Sequence, residues 1–294
     1  MIVNFDNAAT TYPKPKEVRR AVNEAVEKYG GNAGRGGHQL AMRTSEAVFS
    51  AREAAAEFFG AEPENIVFTL NCTAALNMAI KGILYNGGHI IISSMEHNSA
   101  ARPAAALALD NKVKLSIADV YFNDNKTIES FKRLIRPDTK AIVCTAASNV
   151  TGQILPIKEL AQICSEHNIC FIVDAAQACG VMELKLSDGI NIICTAGHKG
   201  LYGITGTGLL VSDGKYKIHP IIEGGTGSAS SSLHQPDFLP DSLESGTLNI
   251  IGAMSVKSGI EFVKKLGIEK IYRHETALCE LFIRELKKEK NIII

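Results

Sequence analysis

Phe171-Ile172-Val173-Asp174-Ala175-Ala176-Gln177 and Cys194-Thr195-Ala196-Gly197-His198-Lys199-Gly200 are the two stretches that decide the fold of this chain. They grow out of short apolar runs, 170–174 and 191–195. Near-continuous apolar runs of strand length are what a strand buried on both faces requires. Each run then sets reactive side chains just past it. The carboxylate of Asp174 and the amine of Lys199 stand 25 positions apart.

Working outward, residues 65–69, 90–93, 112–117, 140–145 and 208–211 read as further strands. Helix-period segments lie between many of them, at 73–81, 100–109, 128–135 and 157–167. This alternation predicts an α/β fold, a mostly parallel sheet sandwiched by helices. Ligands of such sheets bind beyond the carboxyl ends of the strands. Pro13-Lys14-Pro15 opens a helix over 15–29, with proline tolerated in the first turn. A glycine-rich loop (30–37) and a second amphipathic helix (43–59) follow. Residues 224–232, rich in Gly, Ser and Thr, read as a mobile or ligand-covering loop. Two long helical patterns cover 250–266 and 268–288. Residues 291–294 look like a strand that stops as it starts, which we read as a sign of truncation. The expected division is an N-terminal segment (1–14), a large ligand-binding domain (15–265) and the start of a smaller α/β domain (266–294).

A chain of 294 residues can bury a large core. Lys plus Arg and Asp plus Glu both total 31, which gives no electrostatic case for nucleic acid or an anionic membrane. No apolar run approaches the roughly 20 residues of a membrane span. Met1-Ile2-Val3 runs straight into Asn4 and Asp6, unlike a secretory signal. The seven cysteines are odd in number and mostly sit in apolar runs. That pattern suits reduced, core-filling thiols in a cytoplasmic protein.

The chemistry centres on Lys199. Beside His198 and after a buried strand, its ammonium would be partly desolvated, leaving a free amine to form a Schiff base. Asp174 has no cation near it in sequence, and a buried carboxylate needs a partner. A protonated pyridine nitrogen would be one. An amine and such a carboxylate are what pyridoxal 5'-phosphate chemistry asks of a protein. Asp174 would equally serve as a plain helix N-cap for 175–179. Gln177 would reach the cofactor's phenolic oxygen or stand as a surface amide. Asn71-Cys72-Thr73 joins a strand to a helix, where backbone N–H groups and the Thr73 hydroxyl make a phosphate site or an ordinary cap. Thr195 and His198 are further candidate phosphate donors. His97, in Met95-Glu96-His97-Asn98, is placed to stack on a pyridine ring and shuttle a proton, though loop histidines are often merely solvated. Asn149 follows the strand 140–145 and is a candidate contact for substrate or cofactor oxygen.

Two other readings fail. Gly224-Gly225-Thr226-Gly227-Ser228 lacks the Gly-Lys-Ser/Thr of a P-loop. Cys164, His167 and Cys170 have no second pair nearby to complete a zinc site, so no metal is expected.

Asp6–Thr11, 32–38, Asn71–Thr73, Glu96–Asn98, 148–152, Asp174–Gln177, Gly197–Gly200 and 244–249 together resemble the class V aminotransferase family of fold-type I pyridoxal phosphate enzymes. Within it they are most similar to the cysteine desulfurase and selenocysteine lyase branch. The resemblance implies that Lys199 carries the cofactor, Asp174 pairs with its nitrogen, Gln177 contacts the ring oxygen and His97 stacks on the ring. It implies that Thr73, Thr195 and His198 bind the phosphate. Thr247 would approach the phosphate of a second subunit, which implies a homodimer. Family members continue into a C-terminal domain that supplies the arginine for the substrate carboxylate and, in desulfurases, the sulfur-accepting cysteine. Neither is assignable here. Arg35 is a conjectural carboxylate contact, and Cys179 reads as core packing.

The expected activity is a cysteine desulfurase-like conversion of L-cysteine to L-alanine, with Lys199 and His97 as catalytic residues and a sulfur-acceptor protein as a partner. The rivals are a selenocysteine lyase, an aminotransferase on another small amino acid, or a truncated chain that binds the cofactor without catalysis.

Overall fold

The computed structural model describes residues 4–34, 37–289 and 291. Arg35 and most of the strand expected at 291–294 therefore lie outside the described residues, and Asn291 itself sits in a turn.

The chain opens with helices α1 (Lys16–Lys28) and α2 (Gln39–Phe59). A βα alternation follows: β1 (Ile66–Thr69), α3 (Cys72–Ile83), β2 (Gly88–Ser93), α4 (Asn98–Leu109), β3 (Val113–Ala118), α5 (Asp124–Leu134), β4 (Thr139–Thr145), α6 (Ile157–Glu166), β5 (Cys170–Asp174) and β6 (Ile192–Ala196). Strand β7 (Gly208–Ser212) and helices α7 (Ile250–Leu266) and α8 (Ile268–Leu286) complete it. Each of the seven predicted strands is present, within two residues of its expected ends.

The strands form one sheet in the order β1-β7-β6-β5-β4-β2-β3. From β6 to β3 every pairing is parallel, and only β7 runs against its two neighbours. The expected mostly parallel sheet is thus observed. Its cause is visible in single strands. Phe171 and Val173 of β5 enter one core layer with Phe59, Phe131 and Leu160, while Cys170 and Ile172 enter the other with Leu76 and Ile80. Side chains alternate across a strand, so a strand that is apolar at every position must be covered on both faces. Burying each large aliphatic side chain stabilises the fold by about 1.5–3 kcal/mol.

Helix α8 differs from the rest. Ile271 is its one buried residue, and Leu278, Leu281 and Phe282 are exposed. Among the described residues no helix is long and apolar enough to cross a membrane.

Candidate active site

The parallel strands β4, β5 and β6 end side by side, and a cleft of about 510 Å³ opens beyond them. Cys72, Thr73, His97, Asn149, Asp174, Gln177, His198 and Lys199 line it, joined by Asn71, Ser99, Thr145, Ala147, Ala176 and Ala196. Eight of the ten sequence-predicted residues therefore meet in one place.

Asp174 ends β5 and is 3% exposed. Its Oδ1 accepts hydrogen bonds from the Ala176 N–H (2.9 Å) and the Cys72 thiol (3.4 Å). Among the described residues Oδ2 accepts none. Residues 176–178 form a turn and no helix follows, so Asp174 does not cap a helix there. Burial pushes its carboxyl above the usual carboxylate range; the Ala176 N–H, Cys72, Lys199 and His97 pull the other way. The Cys72 thiol is itself pushed well up, by burial first and then by Asp174. This thiol contact is absent from the sequence reading, which used Cys72 only as a backbone donor.

Thr73 stands in the first turn of α3. Asn71 caps that helix, its side chain accepting from the Ala74 N–H at 2.8 Å. The Ala75 N–H bonds the Asn71 carbonyl. The Cys72 and Thr73 N–H groups remain without partners among the described residues. Such a helix start attracts an anion.

His97 caps α4. Its Nδ1 accepts from the Ser99 N–H at 3.1 Å and lies 2.8 Å from the Ser99 hydroxyl. A neutral ring so held carries its proton on Nε2.

Lys199 rides on a tight turn. The Tyr202 N–H bonds the Lys199 carbonyl and the Gly203 N–H bonds that of Gly197, both at 2.8 Å. A Cβ at Gly197 would lie 2.2 Å from Thr207 Oγ1, and one at Gly200 would lie 2.1 Å from the Cys179 carbonyl oxygen. Both glycines are there for close approach. The N-terminal segment clamps this turn from outside. The Thr11 N–H and the Lys14 ammonium donate to the His198 carbonyl at 3.2 and 2.8 Å. Burial lowers the Lys14 pKa to about 8. The imidazole of His198 is held below its usual range by burial, then by Lys199 and Lys14, and its buried Nδ1 has no hydrogen-bond partner among the described residues.

Two predicted residues lie elsewhere. Thr195 is fully buried in β6, its hydroxyl donating to the Ala175 carbonyl at 3.4 Å. Strand alternation turns the next residue, Ala196, to the cleft instead, and Ala196 offers no donor. Thr247 lines a second cleft with Arg52, Thr226 and Glu244. That cleft is larger, about 1060 Å³, but Lys199 and Asp174 do not line it.

The residues of the first cleft fit pyridoxal phosphate. A helix start with spare N–H groups and the orphaned His198 nitrogen suit a phosphate. A buried carboxylate whose charge is incompletely matched suits a protonated ring nitrogen.

A mostly parallel α/β sheet presenting a lysine and a buried carboxylate at neighbouring strand ends is the layout of fold-type I pyridoxal phosphate enzymes. The chain belongs to the aminotransferase class-V family, whose model matches residues 3–294. It is 32% identical to the cysteine desulfurase IscS of Dictyoglomus turgidum, over 97% of this chain and 70% of that protein. A probable cysteine desulfurase of Pyrococcus abyssi is 31% identical, over 95% of this chain and 71% of the relative. The apo structure of a cysteine desulfurase from Thermococcus onnurineus NA1 superposes with a TM-score of 0.91 at 30% identity, covering 98% of this chain and 73% of that one.

Proposed function

We propose that this chain is a cysteine desulfurase-like enzyme that uses pyridoxal phosphate, acts on L-cysteine and passes its sulfur to a thiol. The observation that carries the reading is the meeting of Lys199 and Asp174 in one cleft, beside the open first turn of α3. Bound there, the cofactor supplies an aldehyde for an amine and a ring that accepts electrons. The Cys72 and Thr73 N–H groups, the Thr73 hydroxyl and His198 would hold its phosphate. Asp174 would face its ring nitrogen, Gln177 and Asn149 its ring oxygen, and His97 the ring itself. Lys199 Nζ serves as the base for the proton at the substrate Cα. His97 manages protons through Nε2, because Nδ1 is occupied by Ser99. In balance, cysteine and a thiol give alanine and a persulfide.

Among the seven cysteines, Cys72 is buried against Asp174, and the one exposed thiol, Cys279, is on α8. Neither thiol is placed to receive sulfur from the cleft, so the acceptor thiol stays unassigned, and a sulfur-acceptor protein is the partner proposed for the persulfide. The same observation favours a second reading, lyase or aminotransferase chemistry on selenocysteine or another small amino acid. The position of Thr247 apart from its own chain's cleft supports a homodimer in which it serves the other subunit. Six buried, unpaired cysteines suit a reducing, cytoplasmic setting. The sparse burial of α8 supports a domain boundary near residue 266.

Borohydride reduction followed by mass measurement tests the cofactor: a phosphopyridoxyl increment on Lys199 is expected, and its absence sinks the reading. Lys199→Ala is expected to abolish turnover. Alanine with persulfide or sulfide supports the desulfurase reading, whereas a keto acid supports transamination.

A further inference from the structure

A second carboxylate lies beneath the cleft and has no role in the chemistry above. Glu96 follows β2, and its Oε1 accepts from the Ser93 hydroxyl at 2.5 Å and from the Thr145 N–H at 2.7 Å. Thr145 ends β4 in register with Asp174 on β5. The other oxygen of Glu96, Oε2, is buried with no hydrogen-bond partner, and no Lys, Arg or His among the described residues forms an ion pair with it. The titratable groups that bear on it are Asp174 of β5 and Cys144 of β4, and neither supplies a positive charge. A buried anion without a cation is costly, whereas a neutral acid keeps both donors on Oε1 satisfied.

We propose that Glu96 is a positioning residue that works as a neutral carboxylic acid, pinning the end of β4 beside Asp174 and leaving Asp174 as the one charged carboxylate under the cleft. Burial, with the charge of Asp174 adding to it, raises the Glu96 carboxyl to about 8, against the opposing pull of Ser93 and Thr145. The negative charge of Asp174, on the neighbouring strand, disfavours a second charge on Glu96. The consequence for a cofactor rests on the pairing of Asp174 with a protonated ring nitrogen; the protonation of Glu96 does not.

The test compares urea unfolding of the purified protein and Glu96→Gln from pH 5 to 9. The native acid holds a proton that the unfolded chain has lost. The unfolding equilibrium of the wild type relative to the variant should therefore shift toward unfolding about tenfold per pH unit, levelling off near pH 8. A ratio that stays constant with pH overturns the proposal. Should Glu96→Gln not fold, infrared spectra of protein with 13C-labelled glutamate replace it. A protonated-acid band should titrate near pH 8, and Ser93→Ala should move its midpoint upward; a band that is absent at pH 6.5, or that Ser93→Ala leaves unmoved, overturns the proposal. With pyridoxal phosphate bound, the absorbance should titrate near pH 8 in the wild type and not in Glu96→Gln; identical titrations overturn the positioning role. A protein that binds no pyridoxal phosphate sinks the cofactor reading instead, and the unfolding and infrared results then judge Glu96.

Discussion

Asp174 carries more of its burial than its partners offset, and that imbalance makes a prediction. Its carboxyl is raised above the usual value of 3.8, so folding makes it a weaker acid than in the unfolded chain. For a raised carboxyl the stabilising contribution is present at low pH and is lost as pH rises through the folded value. At neutral pH, with no cofactor bound, the ionised group is a burden on the fold. Asp174→Asn keeps the shape and removes the charge. Without the cofactor it should be as stable as the wild type at pH 7, or more so, by urea unfolding. Its turnover should fall about a hundredfold or more, because a buried charge that loses its partner costs about 3–5 kcal/mol. A stability loss that matches the activity loss would instead make Asp174 a structural residue. The chemistry of Asp174 was legible in the sequence because a carboxylate ending an apolar strand must find a partner. Glu96 lies just beyond the end of β2 rather than on it. The sequence reading named only its neighbour His97, since a buried acid that stays neutral leaves no partner to look for.

The turn that carries Lys199 depends on its glycines more than on its lysine. A methyl at Gly200 would meet the Cys179 carbonyl oxygen at 2.1 Å, and backbone cannot yield as a flexible side chain does. Gly200→Ala should cost about 1–3 kcal/mol of stability and displace the amine, cutting kcat about tenfold or more. Gly30→Ala, where a methyl meets nothing within 4 Å, should stay within about 0.5 kcal/mol of wild type and keep full activity. Equal effects of the two substitutions, by thermal unfolding and steady-state rates, would remove the packing argument. Element positions were legible because buried strands advertise themselves as apolar runs. Their faces were less so. Whether Thr195 or Ala196 meets the cleft is a matter of strand parity, and an all-apolar strand gives no polar face from which to count. Helix starts failed where the cap was unusual or the first turn polar. Helix α2 begins at Gln39, capped by the His38 ring on the Ala41 N–H, and histidine is no N-cap signature. Helix α5 begins at Asp124 behind an Asn123 cap, ahead of the apolar periodicity that marked it from 128 onward.

Across the whole molecule, Arg52 of α2 and Glu244 are joined over 192 positions of sequence. Both are under a tenth exposed, and Glu244 also accepts the Phe68 N–H of β1 at 2.6 Å. One ion pair thus ties a helix, an edge strand and the segment before Thr247 together, along the wall of the second cleft. Pattern within one sequence cannot disclose such a contact, because nothing local distinguishes Arg52 from an exposed arginine on an amphipathic helix. Its energetics are one-sided. Burial pushes the Glu244 carboxyl up, and Arg52 then pulls it back. Arg52→Met removes the cation and leaves the burial, so the cost should reach about 3–5 kcal/mol at pH 8. The sign with pH follows. Without Arg52 the folded Glu244 carboxyl rises further above its unfolded value, so the variant takes up a proton on folding as pH falls. Acid should therefore relieve the defect, and the deficit of Arg52→Met against wild type should be smaller at pH 5.5 than at pH 8. Adding Glu244→Gln should recover much of the loss at pH 8 and little at pH 5.5, because the single variant is already largely neutral at Glu244 there. Urea unfolding of the four proteins at the two pH values measures all of this. A deficit that is independent of pH, or one that Glu244→Gln leaves unchanged, would mean that Arg52 contributes through its packing on Phe68, whose ring centre lies 4.9 Å away, and not through its charge.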